Sequence, residues 1–202
     1  MCARAANICN ETGVTSYRVY VRRAGDATTT WTYVDTVCWG ENTTVTVVNI
    51  PAEAEEAFKS MEPLAAESGF GQQAKPLVNL ATYFVAKGEQ EMTVRVTRGG
   101  IVLDITAKPR YHWDFGDGQT LDTEMQGRRY RAGDNTHTPP GAADAVMHWY
   151  RDAKTYQARL TTTWHATYTV NNGPAVDIPD EIEIEAAPLN VAVEEARAIL
   201  YN

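Results

Sequence analysis

The stretch "YHWDFGDG", Tyr111 to Gly118, combines aromatic residues with two aspartates and two glycines. Asp-Phe-Gly is the magnesium-binding triplet of protein kinases, whereas a strand that ends in Asp-Gly commonly turns a β-sheet corner. The kinase interpretation requires a glycine-rich loop, a strand lysine and a His-Arg-Asp loop, and none of these precedes Asp114. The stretch therefore predicts a strand and a turn, in which Asp114 accepts hydrogen bonds from backbone N–H groups.

Composition and charge exclude several classes of function. The chain has 202 residues, 44% hydrophobic and 22% charged, which is ordinary for a globular protein. No apolar run approaches the roughly 18 residues that a membrane helix needs, so we predict no membrane span. The net charge is −8, and Lys and Arg do not cluster, so nucleic acid is not an expected partner.

The three cysteines all lie in the first fifth of the chain, at Cys2, Cys9 and Cys38. They lack the paired spacing of a structural zinc site, so we predict no metal centre. In a secreted protein, either Cys2 or Cys9 is a candidate disulfide partner for Cys38. Cys2 directly follows the first Met and is also a candidate for a former lipid-attachment cysteine.

The first third of the chain predicts a β-rich segment with one helix. Val, Thr, Tyr and Trp dominate residues 16–50, and polar breaks divide them into three predicted strands. Pro51 then suits the first helical position, and apolar residues recur at intervals of three and four. We predict a helix over about residues 52–61 within an N-terminal α+β domain, residues 1–75.

The rest of the chain is almost wholly β in character. The polar "ESGFGQQAKP" predicts a linker, followed by a bridging strand or linker over residues 76–90. A long polar loop is predicted at residues 119–144, at the surface and partly mobile. The strand at residues 155–170 is so long that it must bend or pair with two partners. Residues 190–200 fit either a helix or a strand, and we favour a strand.

The motif and the downstream "HWYRDAKTYQARLTTTW" resemble the PKD (polycystic kidney disease) domain. Its hallmark is a Trp-Asp-Phe-Gly-Asp-Gly strand end, a His-x-Tyr and a Tyr-x-Val-x-Leu-x-Val strand. Two departures stand out: the loop before His148 is longer than in typical members, and the turn glycine before Tyr156 is replaced. The matching positions are Trp113, Asp114, Phe115, Gly116, Asp117, Gly118, His148, Tyr150, Tyr156 and Leu160.

The resemblance covers roughly residues 91–202 and implies an immunoglobulin-like antiparallel β-sandwich, with His148 packed beside the turn. The layout of the whole chain is also similar to a group of secreted bacterial proteins with a PKD-like C-terminal domain, some encoded near Tad-type pilus genes. That likeness implies a secreted or cell-surface protein, with the signal sequence absent from this chain. Some members are labelled ATP/GTP-binding, but no Gly-x-x-x-x-Gly-Lys-Ser/Thr motif is present here.

The sequence gives little support to catalysis. Its three serines lie outside any Gly-x-Ser-x-Gly elbow, so a hydrolase nucleophile is lacking. Asp114, Asp117 and Asp122 lie close together, but their spacing is not that of an EF-hand. Weak calcium binding there is the alternative to a structural role. We predict no catalytic residues and no cofactor; an enzyme would need His and carboxylate side chains to meet in a pocket.

The candidate binding residues are tryptophans and part of the long loop. Trp149 and Trp164 would stack on sugar rings if exposed in a row, or fill the core if they point inward. The loop adds Arg128, Arg129 and Tyr130. Partners could dock on this loop or add along a sheet edge. We predict a secreted, non-catalytic protein for protein contacts or self-assembly at the cell envelope, associated with a pilus or filament. The alternative is an extracellular carbohydrate-binding module that binds polysaccharide.

Overall fold

A computed structural model describes residues 15–21, 31–39, 49–71, 75–98, 100–137, 139 and 141–197. This part of the chain is mainly β with antiparallel sheets, as predicted, and has one short helix, α1 (Ile50–Lys59). The strands in chain order are β1 (Thr15–Val21), β2 (Thr32–Trp39), β3 (Glu67–Phe70), β4 (Ala81–Lys87), β5 (Met92–Arg98), β6 (Ile101–Asp114), β7 (Thr120–Thr123), β8 (Val146–Trp149), β9 (Thr155–Val170), β10 (Val176–Glu185) and β11 (Leu189–Ala192).

Two long strands, β6 and β9, form the centre of the main sheet, whose strand order is β10-β9-β6-β5. They pair antiparallel from Leu103↔Val170 to Asp114↔Arg159. The other side of β6 pairs first with β5 and then with β7. The other side of β9 pairs with β10 and, nearer its start, with β11. Of the two alternatives predicted for this sixteen-residue strand, a bend or pairing with more than one partner, the structure shows the pairing.

Side chains alternate along both central strands, so that one face of the main sheet is buried along its whole length. Two different layers cover that face. The helix α1 covers one half and encloses what we term the helical core, which includes Phe58, Leu103 and Trp164. The small sheet, β3-β4-β8, covers the other half and encloses the sandwich core, which includes Phe84 and Trp113.

The helix begins two residues earlier than predicted, because Asn49 caps it and its side-chain oxygen accepts from the amide of Ala52. Its buried residues, Ile50, Ala54, Ala57 and Phe58, recur with helical spacing and face the main sheet. The helix ends before Glu62, which has a positive φ of 48° and precedes Pro63. A residue before proline is disfavoured in the helical region, so the helix stops two residues before its predicted end.

The segment predicted as a linker begins with a strand, and the segment predicted as a bridging strand or linker contains a strand. The stretch "ESGFGQQAKP" begins with β3, and residues 76–90 contain β4, the central strand of the small sheet. A parallel bridge joins Leu77 to Glu194 and ties the start of this region to the strand end after β11. Residues 190–192 belong to β11, a strand as favoured. The third predicted N-terminal strand lies outside the described residues.

The hairpin β1–β2 is a separate two-stranded antiparallel sheet. A register shift next to Val19 and Tyr20 places Tyr20 opposite Tyr33. Tyr17 and Tyr20 are three residues apart and therefore lie on opposite faces of β1.

We expect Phe58→Ala to destabilise the whole described fold, because this fully buried ring joins α1 to the main sheet. The free energy of unfolding should fall by about 3–5 kcal/mol, measured by urea unfolding with circular dichroism and tryptophan fluorescence. Glu56→Ala, on the exposed side of α1, should change it by less than about 0.5 kcal/mol. If the urea midpoint of Phe58→Ala equals that of the wild type, Phe58 does not join α1 and the main sheet in one cooperative core.

Candidate functional site

The Asp-Phe-Gly-Asp-Gly turn at the end of β6 is held by its own aspartates. The Oδ1 atom of Asp114 accepts from the amide of Gly116 at 2.8 Å, and Oδ1 of Asp117 accepts from the amide of Gln119 at 3.1 Å. The amide of Phe115 also donates to the carbonyl of Gln119, at 3.1 Å. These are Asx-turn contacts, in which short acidic side chains replace backbone partners. Both carboxylates therefore shape the turn.

The structure brings His148 and Tyr150 of the predicted motif against this turn. The Nε2 atom of His148 lies 2.7 Å from Oδ2 of Asp117, and the His148 ring stacks on Phe115 with 4.2 Å between centroids. The Tyr150 hydroxyl donates to the carbonyl of Phe115 at 3.0 Å. Burial raises the pKa of Tyr150, which keeps this donor protonated. The contacts fix the turn to the strand end of β8.

The same residues continue into the aromatic centre of the sandwich core. Phe84 from β4 packs against Trp113 and Phe115 at centroid distances of 5.2 and 5.1 Å, and Tyr150 stacks on Tyr156 at 4.3 Å. Trp113 is fully buried. The motif thus holds the two sheets together, since its aromatic residues lie between them.

Gly116 and Gly118 offer a matched test of this turn. Both have positive φ, 80° and 89°, but a Cβ on Gly116 would lie 2.5 Å from the carbonyl oxygen of Gln157, whereas a Cβ on Gly118 meets nothing within 4 Å. Gly118→Ala should cost about 1–2 kcal/mol of stability, the penalty of the left-handed conformation. Gly116→Ala should cost clearly more, because the backbone must also move. Equal losses in urea unfolding would show that the predicted contact with Gln157 is absent.

The long predicted loop is anchored across the small sheet. Residues 120–123 form β7, and the following segment bonds to both sides of β4. The amide of Ala86 donates to the carbonyl of Gln126, and the amide of Ala81 donates to the carbonyl of Thr136, both at 2.8 Å. The amide of Tyr130 donates to the carbonyl of Gly71 at 2.7 Å. The segment from 126 to 136 therefore crosses the outer face of the small sheet.

Arg128 organises this crossing segment. Its Nη1 and Nη2 atoms donate to both oxygens of Asp134 at 2.9 Å, and its Nε donates to Asp144 at 2.6 Å. The side chains of Arg128 and Asp134 are only 15% and 12% exposed. These bonds raise the pKa of Arg128 and hold the pKa values of Asp134 and Asp144 below the ordinary carboxyl range. Arg128, a predicted binding residue, is therefore occupied by structural contacts.

Tyr83 lies beneath the crossing segment and is fully buried. Its ring meets the ring of Tyr130 edge to face at 5.7 Å. Burial, together with the nearby carboxylate of Asp134, raises the pKa of Tyr83 to about 12. Ala81, Ala145 and partly buried neighbours complete a small third core on this outer face. The crossing segment thus acts as a third layer over the small sheet.

Asp134 should contribute stability that depends on pH. Arg128 lowers its pKa in the folded chain, so the unfolded chain binds this proton more readily. The contribution is present above the ordinary carboxyl pKa of about 4 and is lost as the pH falls toward the folded-state value. Asp134→Asn should lower the melting temperature at neutral pH and make its fall toward about pH 3 shallower than in the wild type. Asp152→Asn, at an exposed position, is the control; a profile for Asp134→Asn parallel to the wild type would contradict the ion pair.

The remaining predicted binding residues are scattered. Trp164 is 2% exposed in the helical core, so it cannot stack on a ligand at the surface. Trp149 is half-buried, and its Nε1 donates to the carbonyl of Thr136 at 3.2 Å. Arg129 and Tyr130 are exposed on the crossing segment. Cys38 lies on β2, whereas Cys2 and Cys9 fall outside the described residues, so the disulfide stays a prediction.

Sequence reasoning missed the aromatic surface of the hairpin β1–β2. Four large side chains there are 44–58% exposed: Tyr17, Tyr20, Trp31 and Tyr33. The rings of Tyr20 and Tyr33 pack edge to face at 5.7 Å, and the Tyr33 hydroxyl lies 2.7 Å from that of Thr36. One signal was available: Tyr17 and Tyr20 lie on opposite faces of one strand, so a single core cannot bury both. We name these four residues the aromatic hairpin surface.

The sequence matches no protein-family model and no curated protein. Among the residues that the structure describes, no helix is long and apolar enough to cross a membrane. In the same part of the chain, no three His, Cys, Asp or Glu side chains are grouped as metal ligands would be.

Proposed function

We propose that this chain is a secreted, non-catalytic interaction protein that acts through protein contacts at the bacterial cell surface. Its scaffold is an immunoglobulin-like sandwich of the PKD type, in a pilus- or filament-associated setting. The observation that carries the proposal is the aromatic hairpin surface. Tyr and Trp are enriched at protein interfaces because they combine a large apolar area with a polar group.

The energetics of the hairpin support a partner. A two-stranded sheet is marginally stable alone in water, and three or more strands or a packing layer are usually needed. In β1–β2 both strands keep aromatic side chains about half exposed, on both faces of β1. Burying these side chains against a partner would remove apolar area from water and stabilise the hairpin as well.

The chemistry of the motif and the crossing segment also favours a scaffold. The carboxylates of Asp114 and Asp117 hold a turn, and the guanidinium of Arg128 joins two carboxylates. These are the polar groups that the sequence offered for metal or ligand contact. Since each has a structural partner, the exposed surfaces are better candidates for function.

A carbohydrate-binding module is the second candidate. Trp31 and Tyr33 are 58% and 52% exposed; Trp31 directly precedes β2, and Tyr33 is the second residue of that strand. Exposed aromatic faces stack on sugar rings, so the same surface could hold a polysaccharide. The two candidates differ in the partner and not in the surface.

The proposal predicts that Tyr20→Ser with Tyr33→Ser weakens binding of the purified protein to cell envelopes of the producing bacterium. Loss of two interface tyrosines should lower the affinity at least about tenfold in a sedimentation assay. Leu64→Ser with Met125→Ser removes two other exposed apolar side chains and should leave binding unchanged. Circular dichroism spectra should show that both variants fold.

Treating the envelopes separates the candidates. Protease digestion should abolish binding if the partner is a protein, whereas polysaccharide digestion should abolish it if the partner is a glycan. Binding that survives protease and disappears with the glycan would replace the proposal by the carbohydrate-binding alternative. Binding that is equal in the wild type and the Tyr20, Tyr33 variant would reject the aromatic hairpin surface.

A further inference from the structure

We propose that the chain also associates with copies of itself, head to tail, by pairing the free edge of β10 in one copy with the free edge of β5 in the next. This self-association goes beyond the proposed function and does not use the aromatic hairpin surface. Among the described strands, β5 pairs with β6 alone and β10 pairs with β9 alone. Both are therefore edges of the main sheet, with a row of backbone N–H and C=O groups available for another strand.

The two edges carry opposite charge. The acidic residues of β10 are Asp177, Asp180, Glu181, Glu183 and Glu185, and the strand has no basic residue. The charged residues of β5 are Arg95 and Arg98. Two β10 edges would repel each other and so would two β5 edges, whereas β10 next to β5 brings opposite charges together. The charges thus select the head-to-tail pair over either symmetric pair.

Some of these charges already have partners within the chain. Arg95 bonds to Asp104 through Nε and Nη2 at 2.6 and 3.0 Å, which leaves Nη1 for a second carboxylate. Arg98 lies 3.3 Å from Glu53, a pair with an exposed arginine that is weak in water. On β10, Lys59 pairs with Asp180, but Glu183 and Glu185 form no ion pair with another described residue. The same holds for Asp177 and Glu181, so four of the five acidic residues of this strand have no ion pair with another described residue.

The side-chain pattern of the two edges matches as well. On β10, Ile182 and Ile184 pack partly against the helical core while the intervening glutamates are exposed. On β5, Val94 and Val96 pack partly against the same core while Thr93, Arg95 and Thr97 are exposed. A strand pair with these faces aligned would cover the half-exposed apolar residues and place Glu183 and Glu185 beside the polar side of β5.

The geometry of β10 limits the contact. Pro179 has no N–H to donate, and the register of β10 shifts between Ile178 and Ile182. Pairing is therefore confined to the last five residues, 181–185, a smaller contact than a stable interface needs. We expect weak association that strengthens with protein concentration. Because a head-to-tail contact leaves one edge free at each end, repeated pairing gives an open filament instead of a closed dimer.

The test is a charge reversal on the acidic edge. Glu183→Lys with Glu185→Lys should weaken self-association of the full chain at least about tenfold, since like charges then face Arg95 on the polar side of β5. Glu56→Lys with Asp152→Lys makes the same change in net charge at exposed positions outside both edges and should leave association unchanged. Sedimentation velocity over a wide range of concentrations at low ionic strength measures the effect, and added salt should reduce it in the wild type.

A second reversal keeps the test independent of folding defects. Thr93→Glu with Thr97→Glu gives the polar side of β5 two carboxylates beside the single guanidinium of Arg95 and should also weaken association. Combining all four substitutions in one chain brings the two introduced lysines beside the two introduced glutamates, so association should return. Electron microscopy of the wild type at high concentration should show filaments that the Glu183, Glu185 variant lacks.

Three results would overturn the proposal. One is a wild type that stays monomeric at every concentration, and another is a Glu183, Glu185 variant that associates as well as the wild type. The third is loss of association in the Tyr20, Tyr33 variant with no loss in the Glu183, Glu185 variant, which would assign self-association to the hairpin. A wild type that self-associates as expected but does not bind cell envelopes would instead reject only the proposed function.

Discussion

The pairing of β6 with β9 is the constraint on which the rest of the structure depends. The two strands are hydrogen-bonded from Leu103↔Val170 to Asp114↔Arg159, and their other sides carry β5 and β7, or β10 and β11. Because side chains alternate, this one register decides which residues enter both cores. A shift of β9 by one residue against β6 would place Trp113 and Trp164 on opposite faces of the sheet, so that one of them would leave the core. The helix and the small sheet therefore pack side by side on the same face of the main sheet.

Sequence reasoning succeeded where structure is decided locally. Alternating residues gave the β character, Pro51 and the apolar spacing gave the helix, and the residues of the motif gave a strand followed by a turn. Such signals lie within a few residues of each other. The role of β3 and the sheet partners of β4 could not be obtained in this way. Whether "ESGFGQQAKP" is a linker or a strand depends on pairing with β4, and β4 in turn depends on β8, some sixty residues away in the chain.

Individual side chains of the candidate site likewise depend on contacts with residues that are distant in the sequence. Arg128 looked available for a ligand because its partner Asp144 is distant in sequence, and Trp164 looked ambiguous because its facing follows from the register of β9. The role of His148 beside the turn could be predicted, but only from a resemblance that supplied the missing long-range contact. The sequence around a single arginine or tryptophan does not show whether its side chain contacts distant residues of the folded chain.

Two features of the surface are not explained by the folding of the chain itself. The aromatic residues of β1–β2 leave about half of their surface in water, and the five acidic residues of β10 repel one another along an edge. Neither arrangement improves a core, and both reduce the stability of an isolated molecule or contribute little to it. By contrast, the motif and the crossing segment use their polar groups internally. We therefore propose that the function lies at the surfaces that the fold exposes at a cost, whereas the carboxylates of the turn serve the scaffold that presents them.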